Sequence, residues 1–476
     1  MSATSETAPP AKGAGPERAS SFSLDVERQT VPGAFRAYIG KLRSGDPGAL
    51  PSVLGLVLLV IIFAQVSDRF LSKNNIGNLP GQGAYIAVIG MGLVFVLLLG
   101  EIDLSAGTTG GMCAAFAARA VFSGDLHGVL PSFLYWSLLV FMLAAIALAV
   151  WLKAWSGAVV VTFGVVLVAA GLVDNNVTLA MLGAVALGAA VGVVTGFLVA
   201  KVGIPSFIVT LALFLAWQGV LLFVLNSQPI GTTNFNLWYN LANANLSVFW
   251  SWVFTIVVVA GYLAFTLWKS ISAQRAGLAH DALSLVLLRG GAIAAVGVVV
   301  TYLACQNRNT NPYLVIAGIP WAAVIAISIM IVCSLALNKS TWGRHLYATG
   351  GNAEAARRAG IDVVHIKVTA FVLCSSFGAF GGILLGSTSH SVSLDLGAGN
   401  ILLFSVAAAV IGGTSLFGGR GKPRDAVLGA LVIVIIPNGL GLKPNLGVQY
   451  QQVITGVVLL AAAAVDAISR KRSQRT

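Results

Sequence analysis

Apolar runs of roughly twenty residues recur from about residue 50 to the C-terminus, and no other feature constrains the fold so tightly. A helix crosses the hydrocarbon core of a bilayer with about 20 mainly apolar residues. Backbone in lipid must satisfy its polar groups within the segment, which leaves helices as the spanning form for runs of this length. By that rule there are fourteen candidate spans, centred near residues 60, 91, 114, 143, 165, 189, 217, 257, 294, 326, 377, 408, 434 and 458. Composition agrees: 57% of residues are hydrophobic and 9% charged, where a soluble domain carries about 25% charged residues. The predicted fold class is therefore all-α, a polytopic integral membrane protein with about 12–14 transmembrane helices.

The distribution of basic residues predicts the orientation. With the N-terminus inside and strict alternation, only Arg69, Lys73, Arg119, Arg308 and Lys443 fall outside, and the other 23 of the 28 Lys and Arg fall inside. Cytoplasmic loops collect Lys and Arg in this way, so the net charge of +12 is read as a membrane feature and nucleic acid is not an expected partner. Both termini are predicted to be cytoplasmic. Residues 1–49 are rich in Ala, Pro, Gly, Ser and charges and read as a disordered cytoplasmic tail; they contain no signal-peptide core. Residues 50–469 form the predicted transmembrane domain, and 470–476 a basic cytoplasmic tail.

Several chemistries are excluded. Cys113, Cys305, Cys333 and Cys374 lie in or beside apolar runs without CxxC spacing, which reads as inert buried thiols. His127, His280, His345, His365 and His390 are scattered, with no metal spacing, and no acid pair or nucleophile–base pair suggests an enzyme. Gly421-Lys422 imitates a phosphate loop. Walker A needs a Gly where Leu416 stands and Ser or Thr where Pro423 stands, so no nucleotide or other cofactor site is expected.

The polar interruptions carry more information. The segment Thr341–Lys367 contains a very short helix with both ends marked: Asn352 as N-cap, Glu354 in the first turn, Arg357 and Arg358 in the last, and Gly360 for a left-handed stop. Two turns are too few to be stable alone, so the helix needs a surface to lie on. Gly100-Glu101-Ile102-Asp103-Leu104-Ser105 sets two acids between apolar runs. Carboxylates at membrane depth cost about 2.5–3.5 kcal/mol each and are usually functional. Glu101, Asp103 and Ser105 are candidates both for capping the next helix and for a substrate path. Lys201–Pro205 reads as a cytoplasmic turn, with Pro205 at a helix start. Asn226–Ser247 is an Asn-rich external loop, a solvated loop or a receiving surface, and Asp174-Asn175-Asn176 an isolated polar external turn. Val410-Ile411-Gly412-Gly413-Thr414-Ser415, with Gly418, Gly419 and Gly421, provides flexible backbone beside the anchoring charges Arg420, Lys422 and Arg424. Pro437-Asn438-Gly439 is expected to break a span and expose Asn438, either to a neighbouring helix or to the substrate path.

GRHLYATGGNAEAARRAGI (Gly343–Ile361) resembles the cytoplasmic coupling loop of permease subunits of bacterial sugar ABC importers, the ribose/xylose type, and is nearest the xylose-type branch. EIDLSAG (Glu101–Gly107), KVGIPSFIVTL (Lys201–Leu211), VIGGTSLFGG (Val410–Gly419) and the C-terminal YQQVITGVVLLAAAAVD match in the same order. The resemblance implies a multi-pass permease in the bacterial plasma membrane that carries a monosaccharide such as xylose. It further implies a cytoplasmic ABC ATPase that uses the ATP, an extracytoplasmic sugar-binding protein and a second permease copy. Gly351, Asn352, Glu354, Ala355, Arg357 and Arg358 would then touch the ATPase, a helix-in-groove contact. Where the relatives have room for a single span, this chain has three, so about residues 132–173 read as an inserted helix pair. Two rival readings stay open at this point: a proton-coupled secondary transporter in which Glu101 and Asp103 titrate, and a membrane scaffold or receptor without transport.

Overall fold

The computed structural model describes residues 33, 36, 40, 50–276, 282–309, 313, 315–443, 449–450, 452–457, 460 and 464. The predicted tails, 1–49 and 470–476, and most of the span centred on residue 458 lie outside the described residues apart from those single positions. The other thirteen candidate spans all fall on helices. In chain order these are α1 (Leu50–Val66), α2 (Lys73–Gln82), α3 (Ala84–Leu98), α4 (Ala106–Ser123), the short α5 (Leu126–Val129), α6 (Ser132–Trp151), α7 (Trp155–Ala169) and α8 (Val177–Phe197). There follow α9 (Ser206–Leu225), α10 (Asn236–Asn243), α11 (Val248–Arg275), α12 (Leu283–Ala304), α13 (Trp321–Lys339), α14 (Thr341–Gly351), α15 (Ala353–Arg358), α16 (Val363–Thr388), α17 (Asn400–Gly412) and α18 (Pro423–Gly441). Only Gly83 separates α2 from α3, and together they make one span, Lys73–Leu98. Among the described residues nine helices are long and apolar enough to cross a membrane, and α7, α17 and most of α1 are shorter apolar helices. The molecule is an all-α, multi-pass membrane protein.

The chain divides into two compact units. In one, Ile256–Val296, the inner parts of α11 and α12 pack with Leu263 against Gly290. The other, residues 40–255 and 297–476, holds everything that follows. Its centre is α3, α4, α8 and α16, whose side chains are buried almost throughout. Small residues bring these helices together: a Cβ on Gly382 of α16 would collide with the Gly110 backbone of α4. Backbones can approach so closely only where the side chain is absent. Around the centre, α9 turns Phe207, Leu211 and Leu215 outward, and Trp136, Trp151, Trp155 and Trp250 are exposed near span ends. Exposed apolar faces with tryptophans at their margins suit lipid and its interfaces.

Polar residues start the helices where the sequence places them. Ser72, Asn176, Ser340 and Asp362 each accept a backbone N–H from the first turn of α2, α8, α14 and α16. The connections also segregate by contact. Residues 98–102, 206, 347–350, 367 and 418–421 touch one another at one end. Residues 70–78, 243–246, 308, 318–320, 387–390 and 438 form contacts at the other end. This is the alternation that the basic residues predict, reached without reference to charge.

Three local expectations change. The Asn226–Ser247 stretch is not merely solvated: Ile230–Gly231 (β1) pairs antiparallel with Ser391–Val392 (β2), and Trp238 of α10 is fully buried with its Nε1 donating to Ile383 O at 2.9 Å. The Asp174–Asn176 turn is not isolated. Asp174 accepts from Leu126 N at 3.0 Å, Asn175 donates to Gly124 O and Asn176 caps α8. Finally, α18 runs through Pro437 without breaking. Neighbouring helices can re-satisfy the backbone that a proline frees within a membrane.

Candidate functional site

Four of the polar stretches that the sequence singles out, those around Glu101, Pro205, Tyr347 and Gly419, meet at one end of the larger unit. The turn after α3 begins at Gly100, whose φ of +73° suits glycine. Glu101 Oε1 accepts from Lys367 Nζ at 2.5 Å, with the two side chains 17% and 21% exposed. Lys367 lies in the first turns of α16, so this ion pair ties the acidic turn directly to the segment after α15. Asp103 is completely buried. Its Oδ1 accepts both Ser105 N at 2.8 Å and Ser105 Oγ at 2.7 Å. This is an Asx turn that launches α4. The other oxygen, Oδ2, makes no hydrogen bond, although Cys374 and the Ala106 amide neighbour the carboxylate. Ser105 stands at the N-cap position but makes no side-chain cap bond; its hydroxyl donates to Asp103 instead.

The same turn is held by the other stretches. Ile102 N donates to Ser206 Oγ at 3.2 Å and Thr210 Oγ1 donates to Ile102 O at 3.3 Å, which joins it to the start of α9. Gly419 N donates to Leu98 O at 2.8 Å. Tyr347 Oη donates to Gly421 O at 2.7 Å, and burial pushes its phenol pKa up, with the charge of Asp425 adding to the effect and that of Arg424 opposing it. Trp342 Nε1 donates to Thr369 Oγ1 at 2.8 Å. A Cβ on Gly350 would strike Leu98 O, so glycine there lets the end of α14 rest on the end of α3.

The Thr341–Lys367 segment holds two helices where sequence predicted one. Asn352 closes α14 and opens α15, accepting from Ala355 N at 2.9 Å. Ala356 is buried against the protein, whereas Gly351, Asn352, Glu354, Ala355, Arg357 and Arg358 are all exposed. Glu354 binds both arginines, Arg357 Nη1 at 2.8 Å and Arg358 Nε at 3.1 Å. Exposed pairs of this kind contribute about 0–1 kcal/mol, so they shape a surface more than they hold the fold. The local sequence AEAARR thus presents an alanine-floored, charge-patterned ridge.

Not all candidate path residues come together. Glu101, Asp103 and Ser105 share the turn just described, but Asn438 lies at the opposite end. Its amide forms a reciprocal pair with Asn75, 2.8 Å in both directions, and donates to Gln82 Oε1 at 3.1 Å. Sequence reading passed over Asn75 and Gln82. The available signal was the unusual amide content of KNNIGNLPGQ at the head of an apolar span.

Comparison with known proteins supplies the family. The xylose transport system permease protein XylH of Haemophilus influenzae is 28% identical over 91% of this chain and 99% of its own length. XylH of Escherichia coli K12 is 27% identical over 88% and 92%, respectively. The ribose import permease protein RbsC of the same strain is 26% identical over 87% and 92%. No solved structure matches the chain. A match to the family described as "Branched-chain amino acid transport system / permease component" covers residues 154–463, and with the spans and the converging turns described above it establishes that the chain belongs to this family of inner-membrane transport permeases.

Proposed function

We propose that the chain is the membrane-spanning permease of an ATP-binding-cassette importer that carries a monosaccharide, xylose or a related pentose, into the cell. ATP is hydrolysed by separate cytoplasmic subunits, sugar is handed over by an extracytoplasmic binding protein, and two permease copies form the pore. This chain itself binds no cofactor. The observation that carries the reading is α15: a short, capped, exposed helix set between α14, which rests on the ends of the acidic and glycine-rich turns through Gly350 and Tyr347, and α16, whose Lys367 holds Glu101. A partner can shift a transporter between states only by binding them differently, and a ridge whose flanking helices α14 and α16 are bonded to the glycine-rich and acidic turns gives an ATPase that leverage.

Two other readings are weaker. A proton-coupled carrier needs titratable carboxylates free to exchange protons, yet Glu101 is engaged by Lys367. A branched-chain amino acid cargo, as the family description suggests, would call for charge partners for an ammonium and a carboxylate. The polar cluster around Asn438 supplies neutral amides instead. Co-purification with a cytoplasmic ABC ATPase subunit, followed by ATP hydrolysis stimulated by xylose-loaded binding protein, is the expected result. Xylose uptake that follows the proton gradient and persists without any ATPase would overturn the proposal; stimulation by leucine instead of pentoses would overturn the cargo.

A further inference from the structure

The helix α2 carries four amides in ten residues, Asn74, Asn75, Asn78 and Gln82, yet it is the outer part of a membrane span. Asn74, Asn78 and Gln82 recur every four residues and so share one face, and all three are exposed. An amide turned to hydrocarbon without a partner costs roughly 1–3 kcal/mol, so this face is built for water, a polar ligand or protein. Asn75, seven residues before Gln82 and so close to the same face, locks to Asn438, which also bonds Gln82.

Two of the amide oxygens on that face already accept a hydrogen bond. Asn438 Nδ2 donates to Gln82 Oε1, and Arg308 Nη1 donates to Asn78 Oδ1 at 2.9 Å. What Gln82 and Asn78 have left to offer are N–H donors. Arg308 is 2% exposed, and its Nη2 donates to Asn245 Oδ1 and Gly318 O, both at 2.8 Å; its Nε has no partner. Among the described residues no carboxylate pairs with it. A guanidinium buried among neutral acceptors is costly, and each of its terminal nitrogens is engaged in holding loops or Asn78. At 2% exposure it is closed off from a ligand on the surface and acts through Asn78.

We propose that the face formed by Asn74, Asn78 and Gln82, backed by Asn438, is an extracytoplasmic contact site for a neutral polyhydroxyl cargo, with Arg308 as its positioning residue. The donors left on the Asn78 and Gln82 amides suit hydroxyl oxygens, and side chains that are neutral amides suit an uncharged sugar. The inference rests on the sugar-importer reading and adds the residues that receive the sugar.

The test uses the complete transporter reconstituted with its ATPase and binding protein. Gln82→Ala and Asn74→Ala alter exposed side chains, so insertion should be unchanged. The KM for xylose-loaded binding protein should rise about 3- to 10-fold for Gln82→Ala, the loss of one neutral hydrogen bond, with the maximal rate nearly kept. Arg308→Lys, which cannot hold Asn78 and Asn245 together, should likewise raise KM more than it lowers kcat. In a cysteine-free background, Gln82→Cys should react with an impermeant thiol reagent from outside. Xylose-loaded binding protein should slow that reaction more than sugar-free binding protein does. Wild-type KM in both alanine variants together with labelling indifferent to sugar would overturn the proposal while leaving the importer reading intact. Spontaneous Gln82→Cys disulfides between two copies would also overturn it, by showing that the face is a subunit interface. Absence of sugar uptake by the wild type would instead defeat the importer reading.

Discussion

At Glu101 the chain places a carboxylate between two spans and answers it with Lys367, 266 residues away. Removing one partner of a fully buried pair costs about 3–5 kcal/mol, and the partial exposure here lowers that figure. The pair joins the acidic turn to the first turns of α16, so we expect it to carry motion as well as stability. Glu101→Lys and Lys367→Glu should each lower ATP-driven uptake roughly ten-fold or more, and the double charge swap should recover most of it at matched membrane levels. A double variant as impaired as the singles would show that the two residues act separately. Asp103 and Ser105 serve the same turn differently, through an Asx turn that starts α4. That capping role was open in the sequence; the choice of Asp103 over Ser105 as acceptor was not, because it depends on the backbone path of the turn.

Among the elements, α15 offers the sharpest contrast between neighbouring positions. Ala355 is exposed and Ala356 buried. Ala355→Trp should leave expression, insertion and thermal stability unchanged while preventing ATPase association, since a bulky side chain holds the ridge off its groove. Ala356→Trp should instead lower thermal stability, because overpacking costs about 1–3 kcal/mol. If Ala355→Trp binds the ATPase and transports at the wild-type rate, α15 is not the contact. The cap, the Glu354–Arg358 spacing and the Gly360 stop were all legible, because they are local signals. So were the spans, which need only length and apolarity. Other features left no local trace: α14 as a separate helix, the uninterrupted course of α18 past Pro437, the burial of Trp238 and the triple tie made by Asp174, Asn175 and Asn176. The burial of Trp238 and the bonds of Asp174 and Asn175 are decided by partners far away in sequence, as Asn78 is by Arg308 at a separation of 230 residues.

For the whole molecule, the central claim is that one end meets an ATPase, the other receives a sugar, and the packed centre of α3, α4, α8 and α16 links them. The contact sets at the two ends share no residue, so any coupling between them runs along the helices that join the ends, these four together with α13 and α18. The most direct test is uptake of labelled xylose into proteoliposomes holding this chain and its ATPase, with sugar-loaded binding protein on one side and ATP on the other. Accumulation that requires ATP, that is lost in Ala355→Trp and that leucine does not compete is the expected result. Accumulation without ATP, or equal rates for the wild type and Ala355→Trp, would contradict it.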